Sequence, residues 1–271
     1  MSPQVQDRRV AHEQEFHDRW ADSIKVDELL VKEAFESPTA IENRYALSQL
    51  GNLQGKKILD LGCGAGEAAV YFATQGAESF ACDISSGMVE VGLALAKKHG
   101  VRVHFSVVDA AHLPYPDGFF DLVFGNGVLH HVDHLACAKE VRRILKDEGK
   151  AAFVEPLPYN PVIGLYRKLA KEVRTDYEKP LSFSDVERMR PLFSSFHHKE
   201  FWLASLLIFG HFYLVRRWNP SKVRYWKKVI EAGYEYEDFF GRLQKLDEFL
   251  LRYFPFLRGL CWNSVIVAGK A

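Results

Sequence analysis

Two acids frame a glycine loop. In Ile58-Leu59-Asp60-Leu61-Gly62-Cys63-Gly64-Ala65-Gly66 an aspartate sits two residues before three glycines spaced G-x-G-x-G. Glycines there permit a tight turn and let a ligand approach backbone without a Cβ in the way. The N–H groups at the start of a following helix favour an anionic group. A dinucleotide fingerprint, G-x-G-x-x-G, would need its third glycine at position 67, which is Glu. An acid just before the loop would also repel a pyrophosphate, and it suits a ligand with a cationic group near the turn.

The elements that must position these residues are legible. Lys57 to Leu61 reads as a strand, Glu67 to Thr74 as a helix, and Ser79 to Asp83 as the next strand. Met88 to His99 reads as a helix stopped by Gly100, and Val103 to Val108 as a third strand closed by Asp109. Phe120 to Phe124, a helix near Leu135 to Leu145, and Lys150 to Val154 continue the alternation. Short connections of this kind are those of a parallel sheet covered on both faces. In open α/β sheets ligands sit at the carboxyl ends of strands. Asp83 stands at such an end and can accept from two ribose hydroxyls. Asp109 can accept from an exocyclic amino group of adenine, with Ile84 and Met88 placed to sandwich the base. A ribose acceptor, a base acceptor and an acid near an ammonium describe a nucleoside with a cationic amino-acid tail and no phosphates, S-adenosylmethionine.

Residues 57–155 resemble a class I S-adenosylmethionine-dependent methyltransferase, of the subgroup similar to the ubiquinone and menaquinone methyltransferases. The matching segments are Ile58–Gly66, Asp83-Ile84-Ser85, Val108-Asp109-Ala110, Phe120-Asp121-Leu122-Val123 and Val128-Leu129-His130-His131-Val132. The resemblance implies a Rossmann-like, doubly wound α/β sheet of seven strands, mostly parallel with the last antiparallel. Asp60 and the loop Gly62, Cys63, Gly64 and Gly66 would meet the cofactor. Asp83 would hold the ribose, Asp109 with Ala110 the adenine, and Asn126 would sit beside the methionine moiety. It implies little about the substrate.

Methyl transfer from a sulfonium is an in-line displacement, so positioning and exclusion of water supply much of the catalysis. A base is needed only for an acceptor that must lose a proton. His131 and Glu155 are the candidates for that role. The competing reading has the Leu-His-His-Val turn satisfying backbone groups and Glu155 capping the proline loop that follows. An N-terminal helix carrying His12, His17 and Trp20 reads as a lid over the cofactor. With Tyr159, Asn160, Tyr166 and Arg167 it is expected to wall the substrate pocket. No metal is expected: His12 and His17 are five residues apart, and His-Glu-x-x-His sites need four.

The chain divides into an N-terminal helical lid (1–54), a cofactor core (55–155) and substrate-side loops, insertion and last strands (156–271), all one domain. A helix is expected over 9–36, a second from Thr39 to Leu50, and another over Val162–Val173. Ser184 reads as the N-cap of a helix ending near Phe193, with strands at Lys199–Ser205 and Ser264–Ala268 and a helical insertion between them. With 271 residues, 48% hydrophobic and 26% charged, disorder is excluded. Equal numbers of basic and acidic residues, 35 each, argue against a nucleic-acid partner. Four cysteines without a C-x-x-C pair read as reduced thiols in a cytoplasmic protein. Apolar residues in 201–218 and 249–258, flanked by Arg, can form core, a dimer contact or a peripheral membrane contact. The expected function is methyl transfer to a small, partly apolar molecule. The rivals are a sugar or glycan-lipid methyltransferase and a non-catalytic cofactor-binding regulator.

Overall fold

The computed structural model describes residues 3–169, 178–219 and 223–271. An N-terminal segment comprises α1 (Pro3–Ala21), α2 (Glu33–Glu36) and α3 (Ile41–Leu50). The alternating core follows as β1 (Lys57–Leu61), α4 (Glu67–Thr74), β2 (Glu78–Asp83), α5 (Ser86–Lys98), β3 (Val103–Val107), β4 (Phe120–Asn126), α6 (His134–Ile144) and β5 (Leu145–Pro156). The remainder holds α7 (Pro161–Leu169), α8 (Phe183–Met189), β6 (Ser195–Phe201), α9 (Leu207–Leu214), α10 (Tyr225–Glu231), α11 (Glu237–Tyr253) and β7 (Asn263–Gly269).

Among the described residues the strands form one seven-stranded sheet in the order β3-β2-β1-β4-β5-β7-β6. The first five strands run parallel, and β7 lies antiparallel to both β5 and β6. This is the expected Rossmann-like α/β architecture. The order reverses between β1 and β4, which opens a crevice at their carboxyl ends. Alternate residues feed two cores: Ile58, Leu122 and Phe124 pack on one face, Leu59, Leu61 and Val123 on the other. The aromatic residues of the insertion, among them Trp202, Phe212, Tyr225 and Phe240, extend the first of these cores.

Hydrogen bonds of four residues, Asp18, Leu30, Ser37 and Thr39, tie the N-terminal segment to α4, α5 and α10. Asp18 Oδ1 accepts from Ser85 Oγ at 2.5 Å and from the Gly87 N–H at 3.0 Å, fixing α1 to the first turn of α5. Glu67 Oε1 accepts the Leu30 N–H at 2.6 Å. Ser37 and Thr39 donate to the carbonyls of Ile230 and Val229 in α10, at 3.0 and 2.7 Å.

Several expected boundaries move. The single helix over 9–36 breaks at Ala21, where Ser23 and Ile24 donate back to Trp20 and Ala21 in a turn. The helix that follows Pro161 is described as far as Leu169, and residues 170–173 of the expected span lie outside the described residues. The N-cap of α8 is Ser182, not Ser184: its side chain accepts the Asp185 N–H while Asp185 accepts the Ser182 N–H, a reciprocal capping box. Strand β6 runs Ser195–Phe201 and stops there because Trp202 adopts a left-handed φ of 68°. The next three N–H groups, of Leu203, Ala204 and Ser205, all turn to the buried carboxylate of Asp247 in α11, which also accepts from Ser205 Oγ at 2.6 Å.

The apolar stretch that begins at Phe201 divides: Ile208 and Phe212 are buried, whereas Leu207, Tyr213, Leu214 and Val215 are exposed. Phe249, Tyr253, Phe254 and Phe256 are exposed as well. No helix among the described residues is long and apolar enough to cross a membrane.

Asp247→Ala would leave the turn after β6 with several unsatisfied donors. The expected loss of unfolding free energy is about 2–3 kcal/mol. Denaturant titration checks this, and a midpoint unchanged from the parent would show that the carboxylate does not anchor the insertion.

Candidate functional site

The floor of the crevice is built from the glycine loop between β1 and α4. Gly62 has a φ of 66°, and a Cβ there would stand 2.6 Å from Val128 Cγ2. Gly66, at the start of α4, has a φ of 80° and packs against the Phe105 ring and Gly92. Both positions therefore require glycine for conformation and for closeness.

Asp60 and Asp83 lie beneath and beside this loop. Asp60 is buried, and Oδ2 accepts the Ala69 N–H of α4 at 3.0 Å. Its carboxyl is pushed up to about 7, first by burial and then by the like charges of Asp83 and Glu67. Asp83 divides its oxygens: Oδ2 accepts the Gly64 N–H at 2.8 Å and Oδ1 the Ser85 N–H at 2.9 Å. Ser85 in turn caps α5 by accepting the Met88 N–H at 3.0 Å.

Above the floor opens a cavity of about 1300 Å³. Its wall includes Asp60, Gly62, Cys63, Gly64, Asp83, Ile84, Met88, Asp109, Ala110 and Asn126, while Gly66 lies behind it. Asp109 Oδ1 accepts the Ala111 N–H at 2.9 Å, and Asn126 donates to Asn43 at 3.1 Å. The far wall comprises His17, Trp20, His130, His131, Arg167 and Glu178, with α10 closing one side. Arg224 lies over the Trp20 ring at 4.6 Å, so α1 and the insertion meet at the rim.

The expected pocket residues separate. His17, Trp20 and Arg167 line the cavity; His12, on the same helix, does not. Asn160 is no pocket residue, because its side chain caps α7: Oδ1 accepts the N–H groups of Val162 and Ile163, and Nδ2 donates to the Leu260 carbonyl. Tyr159 is held outside by accepting the Phe183 N–H at 3.0 Å and stacking on the Phe183 ring. The side chain of Tyr166 lies outside the described residues.

Glu155 is fully engaged below the cavity rather than in it. Oε1 accepts the N–H groups of Val128 and Leu129 at 2.9 and 2.7 Å, and Oε2 meets His130 Nδ1 at 2.7 Å. It thereby holds the turn that carries His131. That histidine has Nδ1 3.0 Å from Glu13 Oε2 and Nε2 3.6 Å from Glu178 Oε1. Burial first, then the neighbouring His130, hold its imidazole below the ordinary histidine range, against the opposite pull of Glu13. A shift in this direction favours the neutral imidazole, the form that accepts a proton or binds a metal ion.

Glu13, Glu67 and Glu178 line the cavity and were missed by sequence reasoning, as was Asp18, which fastens α1 to α5. Glu13 and His17 had a visible signal, their spacing of four on a helix. Glu67 stands where a dinucleotide loop has its last glycine, and its service to the Leu30 N–H depends on a contact 37 residues away.

A family described as a methyltransferase domain matches residues 59–153. An uncharacterized protein of Methanocaldococcus jannaschii is 30% identical over 177 residues, 64% of this chain and 72% of that one. The methyltransferase GfsG of Streptomyces halstedii is 33% identical over 140 residues, covering 50% of this chain and 48% of its own. The ubiquinone/menaquinone biosynthesis C-methyltransferase UbiE of Cupriavidus pinatubonensis is 34% identical over 117 residues, 41% of this chain and 47% of the relative. The chain thus spans about half the length of these last two curated relatives. Among solved structures, the YcgJ protein of Bacillus subtilis superposes with a TM-score of 0.55 at 21% identity, over 86% of this chain and 97% of that one. The geranyl diphosphate C-methyltransferase of Streptomyces coelicolor A3(2) gives 0.58 at 15% identity, over 86% and 79%. The parallel core, the glycine loop with its two aspartates and these likenesses agree: the chain belongs to the class I S-adenosylmethionine-dependent methyltransferases.

Proposed function

We propose that this chain transfers the methyl group of S-adenosylmethionine to a small, partly apolar acceptor. The observation that carries this reading is the pair of carboxylates, Asp60 and Asp83, on the floor of the cavity beneath the glycine loop. Each charge acting on Asp60, from Asp83 and Glu67, is of its own sign. Such a floor repels phosphates and attracts a cation, and a sulfonium nucleoside with an ammonium group supplies one.

In this reading the loop Gly62–Gly64 meets the methionine tail, with Asp60 near its ammonium and Asn126 beside it. Asp83 takes the ribose hydroxyls: each of its oxygens already accepts one backbone N–H and keeps a second lone pair. Asp109 and Ala110 take the adenine edge, between Ile84 and Met88.

About 1300 Å³ exceeds the usual 300–1,000 Å³ of a single drug-sized pocket, so cofactor and acceptor fit together. The acceptor's side then has Trp20, Ile163, Trp202 and Trp262 as apolar wall and His17, His131 and Arg167 as polar groups. Small acceptors are also what two fold neighbours were captured with, geranyl diphosphate in one and phosphomonomethylethanolamine in another. The bond from methyl carbon to sulfur breaks as the acceptor's lone pair forms the new one, and S-adenosylhomocysteine leaves as a neutral thioether. The chain's contribution is to align the two and exclude water. We assign Glu155 to holding the His130–His131 turn, not to proton transfer.

Titration calorimetry with S-adenosylmethionine tests the cofactor assignment. Asp83→Ala should weaken binding by about 100-fold, since two hydroxyls lose a charged acceptor. Affinity unchanged in a folded Asp83→Ala variant would sink it. A labelled methyl-transfer screen over quinones, phenols, amines and sugars then identifies the acceptor.

Asp60 makes affinity depend on pH. Its carboxyl stands at about 7 before a cation arrives, and the cation favours the ionised form. Below that value binding must release a proton, so affinity should fall by up to about tenfold per pH unit. Above it, affinity from this source should level off. Asp60→Asn should abolish the pH dependence; an equal slope in both proteins would remove Asp60 from the cation's surroundings.

A further inference from the structure

Glu13 and His17 are four residues apart on α1 and so share one face of that helix. The face is turned to His131, which comes from the turn after β4. Glu13 Oε2 lies 3.0 Å from His131 Nδ1 and 3.7 Å from His17 Nε2. All three ligand atoms fall within 4.8 Å of one another. The rings of His17 and His131 meet edge to face at 5.6 Å. A tetrahedral zinc ion with bonds of about 2.0–2.1 Å holds its ligand atoms roughly 3.3 Å apart. Two edges of the triangle bracket that value, and the third lies within 4.8 Å. His131 Nδ1 is buried at this approach of 3.0 Å to the Glu13 carboxylate.

We propose that Glu13, His17 and His131 bind one divalent transition-metal ion, zinc first among them. Two imidazoles and a carboxylate are the donor set of open zinc sites and of non-haem iron(II) sites. All three residues line the cavity, so the remaining coordination positions face it and take water or an oxygen or nitrogen donor of a small molecule. The ion also links α1 to the turn after β4, and a ligand that binds only the folded chain raises its melting temperature. The sequence pairs His12 with His17 and finds no site; the structure pairs Glu13 with His17 and brings the third ligand from 114 residues away.

The test uses the full chain, stripped with EDTA, dialysed and titrated with zinc chloride in a calorimeter. Cobalt(II) substitution, read by visible absorption, reports the coordination. One ion per chain is expected, with a rise in melting temperature. His17→Ala and Glu13→Gln should each weaken zinc binding by about 100-fold while melting like the metal-free parent. A second donor group, His130, His131 and Glu178, shares His131 through its other nitrogen, with Glu178 Oε1 3.6 Å from each ring. Glu178→Gln should therefore leave zinc binding intact. No zinc binding by the folded parent overturns the proposal, and so does binding that survives His17→Ala but is lost in Glu178→Gln. The site does not rest on the cofactor reading: Asp83→Ala should still bind zinc, so the two assignments fail separately.

Discussion

Two carboxylates of like charge on the floor of one cavity constrain everything built around them. Burying Asp60 and Asp83 costs solvation, and backbone N–H groups offset it: Ala69 for one, Gly64 and Ser85 for the other. Those same bonds shape the fold. The Asp60 bond fixes the first turns of α4, and the Asp83 bonds hold the glycine loop against the start of α5. Removing the acids would therefore loosen the loop as well as the field it sits in. Burial and the like charges of Asp83 and Glu67 raise the Asp60 carboxyl, so a cation arriving beside it is favoured.

The second constraint is the way the N-terminal segment is fastened. Its contacts are of two kinds: hydrogen bonds of Asp18 to α5, of Leu30 to Glu67 and of Ser37 and Thr39 to α10, and buried apolar packing, with Phe35 stacked on Tyr71 of α4. Each anchor touches an element that also lines the cavity. The segment thus covers part of the cavity, held by buried apolar packing as well as by hydrogen bonds. The far wall, where His130, His131, Glu13, His17 and Glu178 converge, depends on this cover for two of its members.

Much of the core was legible because its signals are local. A strand buried on both faces reads as an apolar run, and glycine marks each return; the helix Glu67–Thr74 has the same bounds in sequence and structure. The acids at strand ends were legible for the same reason. Strand β6 was misplaced because Trp202 and Asp247 act through tertiary contacts that no local pattern shows. The Asn160 error was avoidable: asparagine before Pro161 is an N-cap followed by proline at the first helical position, a signal of a helix start. The cluster around His131 was readable only in part: the spacing of Glu13 and His17 is local, but their meeting with His131 and Glu178 is a tertiary contact.

The most direct measurement is a crystal structure of the full chain with S-adenosylhomocysteine. The account predicts the adenosyl group across the carboxyl ends of β1 and β2, with ribose on Asp83, adenine beside Asp109 and the sulfur directed toward His131. Adenine remote from Asp109, or a ligand seated among the helices of the insertion, would contradict it.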